Sequence, residues 1–469
     1  MRAEVEAPQS SPEVGLLDAA IPYLLASLQH DLSVPVCLIV ADPEQADAAR
    51  DELSRWAPPG VEVWGLPEPD FPHTDFDGPS SPAMTARAQL ASHLALRREE
   101  QPRMLLVASV LAVIGALRPP EDMSETTVRL QRGSSIRPTT LLSQLVDMGY
   151  ERVEFVTRVG EMTSRGGIID VFSPVHEQPF RVEFFGDEID SIRFFDPLTQ
   201  RATETADEAL ATSNSAEGDS TSILDYLPAG TVIALHDPQS LSVRSLRLHG
   251  ELAEYGASTR PSDQTGRATG SFLSWSEVEA KLKEMRQLRL TPWKSIGEEG
   301  PQLLFSPAGS YVQQIDKLIT AILDALARGE RVVLVSLQAQ RLQELLEEAG
   351  LYVPAVDDIS EAPPPGSVSL VQGSASKGWV LRDTLRLISD LEIFGFVKQE
   401  RRTSRPRPRP TTYSLSINPG DLVAHIDHGI GRFVGLTTLS TGEIEHEYLE
   451  LAYLDGDTLY VPTDQIHRV

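Results

Sequence analysis

Apolar residues in the first portion of the chain occur in short runs separated by amphipathic stretches. The run Val36–Val40 is continuous, which is typical of a strand buried on both faces. A capping aspartate, a first-turn proline and an acidic first turn follow at positions 42–44, so a helix is predicted there. Further strands are predicted at Val61–Trp64 and Met104–Val107, with a helix over Ser109–Leu117. This strand–helix alternation predicts a parallel α/β sheet.

The pattern changes between residues 128 and 212. An amphipathic helix is predicted over Thr139–Tyr150. Three strands are predicted after it, over Gly167–Phe172, Phe180–Phe185 and Glu188–Phe194, with tight turns between them. These residues therefore predict a compact α+β insert.

Apolar runs return after the insert and predict a second α/β unit. A strand is predicted at Thr231–Leu235, an amphipathic helix over Tyr311–Arg328, a strand at Arg331–Ser336 and a helix over Ala339–Glu348. Between these elements, the polar stretch around residues 255–270 predicts a loop.

The final portion of the chain combines a basic linker with a small β-rich domain. The linker alternates arginine with proline from Lys398 to Pro410, which favours an extended tether; a transient phosphate contact is the alternative. The last ~50 residues alternate apolar and polar positions, and the turn signal Asp455-Gly456 separates two of their strands. They predict a small β-barrel with strands at Leu422–Ile426, Gly431–Leu439, Glu447–Tyr453 and Thr458–Val461.

Composition and charge narrow the classes of function. The 469 residues are 41% hydrophobic, which is enough for several packed domains, and the single cysteine, Cys37, excludes a disulfide framework. We expect a cytoplasmic protein, because no apolar run is long enough to span a bilayer and the N-terminus lacks a signal-peptide pattern. A formal net charge of −27 favours protein partners over a broad grip on DNA.

Motifs for catalysis are not found in the sequence. A phosphate-binding loop would need Gly-x-x-x-x-Gly-Lys-Ser/Thr, and that spacing does not occur. The acidic stretch Asp187-Glu-Ile-Asp190 resembles a helicase box but is predicted to lie at a turn of the insert. His425 and His428, with His446 and His467 elsewhere, lack the spacing of a zinc site. We therefore expect no catalytic residue, no metal site and no cofactor in this chain.

One strand of the insert has an unusual pattern. Period-two geometry places Arg181, Glu183 and Phe185 on one face of Phe180–Phe185, and Arg165, at the start of the preceding strand, can reach the same surface. Arginine and aromatic residues are enriched where proteins bind each other. Two interpretations remain open: a binding surface for another protein, or a surface covered by another domain of this chain.

Longer motifs identify a family. The segments Arg165-Gly-Gly-Ile-Ile-Asp-Val-Phe172 and Arg181-Val-Glu-Phe-Phe-Gly-Asp-Glu-Ile-Asp-Ser-Ile-Arg193 closely resemble the excision-repair protein UvrB and the amino-terminal module of transcription-repair coupling factors. The carboxyl end decides between them. Val423-Ala-His-Ile-Asp-His-Gly-Ile-Gly-Arg-Phe-Val434 and Glu447-Tyr-Leu-Glu-Leu451 resemble the polymerase-interacting domain of the coupling factors, which is similar to CarD-type regulators.

The resemblance implies a multidomain α/β and α+β architecture. It consists of a degenerate UvrB-like parallel-sheet module that contains the α+β insert, a second small α/β domain, and a C-terminal SH3/Tudor-like β-barrel. The UvrB-like module is expected to comprise residues 1–127 and 213–304, on either side of the insert at 128–212. The small α/β domain is expected at 305–397, the linker at 398–417 and the barrel at 418–469.

The resemblance also implies two protein partners. The insert is expected to bind the repair protein UvrA, a role that falls on Arg165, Arg181, Glu183 and Phe185. The barrel is expected to bind the β subunit of RNA polymerase through the edge segment Gly435–Leu439, with Leu436, Thr438 and Leu439 as the candidate contacts.

Two departures from the relatives matter. UvrB has a phosphate loop and an aromatic-rich hairpin that probes DNA, whereas Leu66–Phe76 holds only two aromatic residues here. Complete coupling factors continue into an ATP- and Mg²⁺-dependent DNA translocase, so we expect this chain to be a fragment or a truncated gene product that docks partners in transcription-coupled repair. The alternatives are a UvrB-like DNA helicase and a stand-alone CarD-like transcription regulator.

Overall fold

The computed structural model separates the chain into two compact units, Met1–Glu400 and Arg401–Val469. The structure describes residues 12–69, 82–97, 102–214, 221–258, 272–292, 305–359, 361–382, 384–395, 422–425, 429–441, 444–453 and 458–462. The basic linker, His428, His467, the turn Asp455-Gly456 and most of the polar stretch 255–270 lie outside these residues.

The strands of the first unit are short, and many of them contain apolar runs of the sequence. They are β1 Glu13–Leu16, β2 Val36–Val40, β3 Glu62–Leu66, β4 Met104–Ser109, β5 Val128–Gln131, β6 Glu151–Arg152, β7 Glu161–Arg165, β8 Ile168–Val171, β9 Phe180–Phe185, β10 Glu188–Phe195, β11 Ala202–Ala206, β12 Glu208–Ala211, β13 Val232–His236, β14 Arg286–Pro292, β15 Phe305–Pro307, β16 Arg331–Ser336, β17 Ala355–Val356, β18 Val368–Gln372, β19 Trp379–Leu381 and β20 Leu385–Ser389.

The helices of the first unit lie between some of these strands. They are α1 Ile21–Leu32, α2 Pro43–Trp56, α3 Pro82–Leu96, α4 Val110–Ile114, α5 Pro120–Glu125, α6 Pro138–Asp147, α7 Pro238–Ser258, α8 Trp275–Leu282, α9 Ile315–Ala327, α10 Ala339–Glu348 and α11 Asp390–Phe394.

A parallel sheet forms the first layer, as predicted. Its strand order is β1-β14-β13-β2-β4-β3, and each of these pairings is parallel. All five residues of β2 are buried, because helices cover both faces of such a sheet. The predicted helix Ser109–Leu117 is too long: it ends at Ile114, since Gly115 and Leu117 form β-bridges to Phe272 and Thr221.

The insert is a separate two-layer α+β structure. Its six-stranded sheet has the order β11-β10-β9-β8-β7-β6, and β5 pairs with β12 in a two-stranded ladder. Helix α6 covers one face of the six-stranded sheet. That core contains Leu141, Leu145, Ile169, Val171, Phe180, Val182, Ile189 and Ile192. The opposite face of this sheet is called the outer face below.

A third, mixed sheet has the order β15-β19-β20-β16-β18-β17. Residues of β16 alternate between two cores: Val332 and Leu334 pack with α9 and α10, whereas Val333 and Val335 pack toward the first layer. The predicted helix Tyr311–Arg328 begins four residues later, at Ile315, because Gln313 adopts a left-handed φ of 57° that interrupts the helix.

Aromatic side chains join the third sheet to the first layer. The buried Trp379 lies 4.8 Å from Tyr23, 6.1 Å from Trp56 and 5.2 Å from Phe305, measured between ring centroids. The carboxylate of Glu52 accepts a hydrogen bond from the backbone N–H of Ser376 at 3.1 Å in the same contact. The small α/β region is therefore packed against helices α1 and α2.

The second unit contains a four-stranded antiparallel sheet of strands β21 Leu422–His425, β22 Gly429–Thr441, β23 Ile444–Ala452 and β24 Thr458–Pro462, in that order. The predicted strands are confirmed to within three residues at each end. Phe433, Leu449, Leu451 and Val461 form a small core. Among the described ladders none joins β21 to β24, so closure into an SH3/Tudor-like barrel stays a prediction.

Candidate protein-docking surfaces

Strand register places the predicted residues of the insert on one face. Arg165 pairs with Ile168, Ile168 with Glu183, and Glu183 with Ser191. Directly opposed residues in paired strands project to the same side. Arg181 and Phe185 lie two residues before and after Glu183 and share that side. All four predicted side chains therefore belong to the outer face.

Arg181 is held within this face by a buried carboxylate. Its Nε and Nη2 atoms donate to the two carboxylate oxygens of Asp170 at 2.7 and 2.8 Å, and its guanidinium lies 5.1 Å from the ring centroid of Phe195. The hydrogen bond to Asp170 is the main cause of the raised pKa of Arg181. Asp170 is only 5% exposed and the Arg181 side chain 30%, so this pair fixes β8 against β9.

Phe185 is the most exposed large hydrophobic side chain in the described chain, at 83%. It ends β9, and Gly186 follows it with a φ of 66°, a turn conformation that suits glycine. This exposure argues against the alternative that another described part of the chain covers the ring. A ring held on a paired strand and open to water is available to another molecule.

Arg165 and Glu183 complete the predicted set. The Glu183 carboxylate accepts a hydrogen bond from the Ser191 hydroxyl at 2.6 Å and lies 3.4 Å from an Arg193 nitrogen. Arg165 donates to the backbone carbonyl of Glu154, and its guanidinium lies 4.5 Å from the ring centroid of Phe155. The sequence pattern did not identify Phe155, because its contact with Arg165 is tertiary.

The carboxyl edge of the parallel sheet is where nucleotides bind in related folds. Here a short connection after β2 carries Asp42 and then Glu44 in the first turn of α2. Glu68 accepts a hydrogen bond from the Ser109 hydroxyl at 2.5 Å, and Arg244 lies 3.1 Å from Asp42. Burial, with the charges of Asp42 and Glu44, raises the pKa of Glu68. Carboxylates at this edge repel a phosphate group and offer it no hydrogen-bond donor, whereas phosphate sites are built from N–H donors.

Other sequence candidates lie where they were predicted. The acidic stretch at 187–190 spans the turn between β9 and β10, away from the carboxyl edge of the parallel sheet. His425 ends β21, and His446 pairs with Leu439. Among the described residues there is no cluster of three or more metal-ligating side chains. In the same part of the chain, no helix is long and apolar enough to cross a membrane.

The second candidate surface is an edge of β22. Pairing with β21 ends at Arg432, whereas pairing with β23 continues through Leu436, Thr438 and Leu439 to Thr441. A strand paired on one side presents N–H and C=O groups on the other. Within the described residues, the segment Gly435–Leu439 therefore has no partner strand on that side. Its role as an edge stays a prediction, because the residues before Leu422 lie outside the described ones.

Comparison with known proteins matches two segments of the chain to family models. Residues 128–215 match the model of the UvrB interaction domain, and residues 417–469 match that of the CarD-like/TRCF RID domain.

Similarity to curated proteins extends along nearly the whole of this chain. The chain is 25% identical to a transcription-repair-coupling factor of Bacillus subtilis over 97% of this chain and 44% of that protein. It is 27% identical to the factor of Myxococcus xanthus over 99% and 46%, respectively, and 24% identical to that of Staphylococcus aureus (strain MRSA252) over 97% and 44%. The chain thus spans about half the length of these relatives. The resemblance drawn from the sequence is confirmed: this chain has the UvrB interaction and CarD-like/TRCF RID domains and is similar along nearly its whole length to transcription-repair-coupling factors.

Proposed function

We propose that this chain is the docking portion of a transcription-repair coupling factor, with the domain limits predicted from the sequence. The insert binds UvrA through the outer face, and the C-terminal domain, a small barrel, binds the β subunit of RNA polymerase. ATP-driven translocation and polymerase displacement, with their ATP and Mg²⁺, are assigned to other regions of the complete factor. The chain itself works without a cofactor, in the cytoplasm.

The UvrA assignment rests chiefly on Phe185. A ring that is 83% exposed lies on a strand of the segment that matches the UvrB interaction domain. Arg165, two strands away on β7, adds a positive charge to the same face. There Arg181 pairs with Asp170, and Glu183 accepts a hydrogen bond from Ser191. Aromatic and arginine side chains at a well-ordered site are the common centres of protein interfaces.

The polymerase assignment rests on the edge of β22. The segment Gly435–Leu439 keeps one side of its backbone outside the described pairing, in the region that matches the CarD-like/TRCF RID domain. A partner strand could add to this edge through main-chain hydrogen bonds, and Leu436, Thr438 and Leu439 would then give specificity.

The two assignments are separable by experiment. Immobilised UvrA and RNA polymerase β subunit are each titrated with wild type, Phe185→Ala and Leu439→Ala. We expect Phe185→Ala to weaken only UvrA binding and Leu439→Ala to weaken only polymerase binding, each by about tenfold or more. Leu198→Ala and Val434→Ala are the matched controls, since both side chains are exposed and lie outside the proposed contacts. Undiminished binding by either test variant contradicts its assignment.

The helicase alternative is tested separately. Because the sequence has no phosphate-binding loop, we expect that ATP–Mg²⁺ does not bind at the carboxyl edge of the parallel sheet. Isothermal titration of the purified chain with ATP–Mg²⁺ measures this directly, and micromolar binding would favour a UvrB-like enzyme. The regulator alternative, a CarD-like protein without a repair role, would leave the insert unable to bind UvrA.

A further inference from the structure

A second aromatic ring lies beside the surface proposed to bind UvrA. Phe155 belongs to the segment between β6 and β7 and is 50% exposed. The guanidinium of Arg165 lies 4.5 Å from its ring centroid, close enough for a cation–π contact. This contact orients Arg165, and it keeps an apolar ring at the rim of the outer face.

The segment that carries Phe155 is held in place by several hydrogen bonds. The Glu161 carboxylate accepts from the backbone N–H groups of Thr157 at 2.7 Å and Arg158 at 2.8 Å, and from the Thr157 hydroxyl at 3.1 Å. The Gln200 side chain donates to the carbonyl of Val156 at 3.0 Å. A partner that contacts Phe155 therefore meets a pre-ordered ring, and binding orders little additional chain.

The same segment is anchored by an apolar contact. Val156, the residue after Phe155, is fully buried with Phe172 and Phe195 on the outer face. Neighbouring residues of one short segment thus have different roles: Val156 fills the small core and Phe155 remains open to solvent.

Register connects Phe155 to Phe185. Arg165, in contact with Phe155, pairs with Ile168, which is itself 36% exposed. Ile168 pairs with Glu183, so Phe185, two residues further along β9 and on the same face, is a diagonal neighbour of Ile168. The contact and the register thus give Phe155, Arg165, Ile168 and Phe185 successive neighbouring positions on one side of the insert.

The charges on this face indicate the chemistry of the partner. The Glu183 carboxylate is occupied by Ser191 and Arg193, and Asp170 is occupied by Arg181. Two charged groups remain beside the apolar side chains: Arg165 on β7, and the exposed Glu188, which pairs with Phe185 and therefore projects to the same side. A complementary surface would offer an apolar recess with a carboxylate near Arg165.

We infer that Phe155 and Ile168 extend the UvrA-binding surface, with Phe155 acting as a second aromatic anchor beside Phe185. This inference rests on the proposed UvrA binding. It assigns to the UvrA surface two apolar pockets separated by an acidic group.

The test is a binding series on the whole chain, using UvrA as the probe. Phe155→Ala is expected to weaken binding by about tenfold, whereas Phe155→Tyr, which keeps the ring, stays within about twofold of wild type. The loss from Phe155→Ala should persist at high salt, whereas the loss from Arg165→Ala should shrink. Leu198→Ala again serves as the exposed control, and thermal unfolding of each variant shows that the fold is retained.

The outcomes distinguish failure of the second aromatic anchor from failure of the proposed UvrA binding. If wild type binds UvrA and Phe155→Ala binds equally well, the second anchor is refuted while the proposed function stands. If wild type does not bind UvrA, the proposed function fails and the inference fails with it. Equal losses for Phe155→Ala and Phe155→Tyr would also overturn the anchor, since the ring would then not be the group that matters.

Discussion

Substitution of Arg181 by alanine is expected to destabilise the insert and to affect UvrA binding in part through that destabilisation. The variant leaves the Asp170 carboxylate, 5% exposed, without its bidentate partner. Breaking a fully buried pair costs about 3–5 kcal/mol, and hydrogen bonds to charged groups are worth about 1.5–3 kcal/mol. Because the Arg181 side chain is 30% exposed, water compensates part of the lost interaction. We expect the free energy of unfolding of the insert to fall by about 2–3 kcal/mol.

Hydrogen exchange measures this locally, which suits a chain of several domains. A loss of about 2–3 kcal/mol corresponds to exchange roughly 30- to 150-fold faster in peptides that cover β8 and β9. Peptides from β16, in a different sheet, are the internal reference. Arg193→Ala is the matched control, because its ion pair with Glu183 is more exposed and worth at most about 1 kcal/mol.

A second substitution identifies the cause of the loss. Adding Asp170→Ala to Arg181→Ala removes the unpaired carboxylate, so some of the lost protection should return. If Arg181→Ala exchanges no faster than Arg193→Ala, the pair contributes little and the reasoning is refuted. The result also decides how any binding defect of Arg181→Ala is to be interpreted.

Three further predictions follow from buried groups. Burial raises the pKa of Cys37 to about 12, so its thiol should not react with a disulfide reagent at pH 8 until urea unfolds the chain. Trp379→Ala should lower the unfolding free energy by about 3–5 kcal/mol, seen as an earlier urea midpoint, because it empties the contact between the third sheet and the first layer. Burial alone would raise the pKa of Glu330, but Arg328 and Arg386 outweigh it and the net pKa is lowered. A carboxyl whose pKa is lowered by folding stabilises the folded state at pH values above its unfolded pKa of about 4.5. Protection of β16 and β20 against hydrogen exchange should therefore fall as the pH drops below that value, and it should fall less in Glu330→Gln.

Much of the fold followed from local pattern. Continuous apolar runs such as Val36–Val40 marked buried parallel strands to within one or two residues, because a short apolar run followed by a helix-start signal suits a strand covered on both faces. Burial alone does not distinguish the two kinds of element, since all five residues of helix α4 are buried as well. The helix start at Tyr311 was wrong, since helical spacing does not reveal a left-handed residue at Gln313. The role of Trp379 depends on which elements meet, and no local pattern contains that information.

The candidate site was predicted only partially. Alternation within Phe180–Phe185 correctly placed Arg181, Glu183 and Phe185 on one side, since period two is a property of a single strand. The pairing of Arg181 with Asp170 depends on the register between two strands, which one sequence does not specify. Phe155 lies in a segment without periodicity, so only the folded structure brings it to Arg165.

The ladder between β5 and β12 brings the two ends of the insert together, which affects how the insert could be transferred to another protein. Val128 pairs with Ala211, so the polypeptide enters and leaves this module at adjacent points. A host sheet can accept such a module in a single surface loop without moving its own strands. Residues 128–214 should accordingly be transplantable into an unrelated scaffold whose loop ends lie close together. Thr212 and Asn214 are included because they hydrogen-bond to Tyr150 and Met148 of the insert.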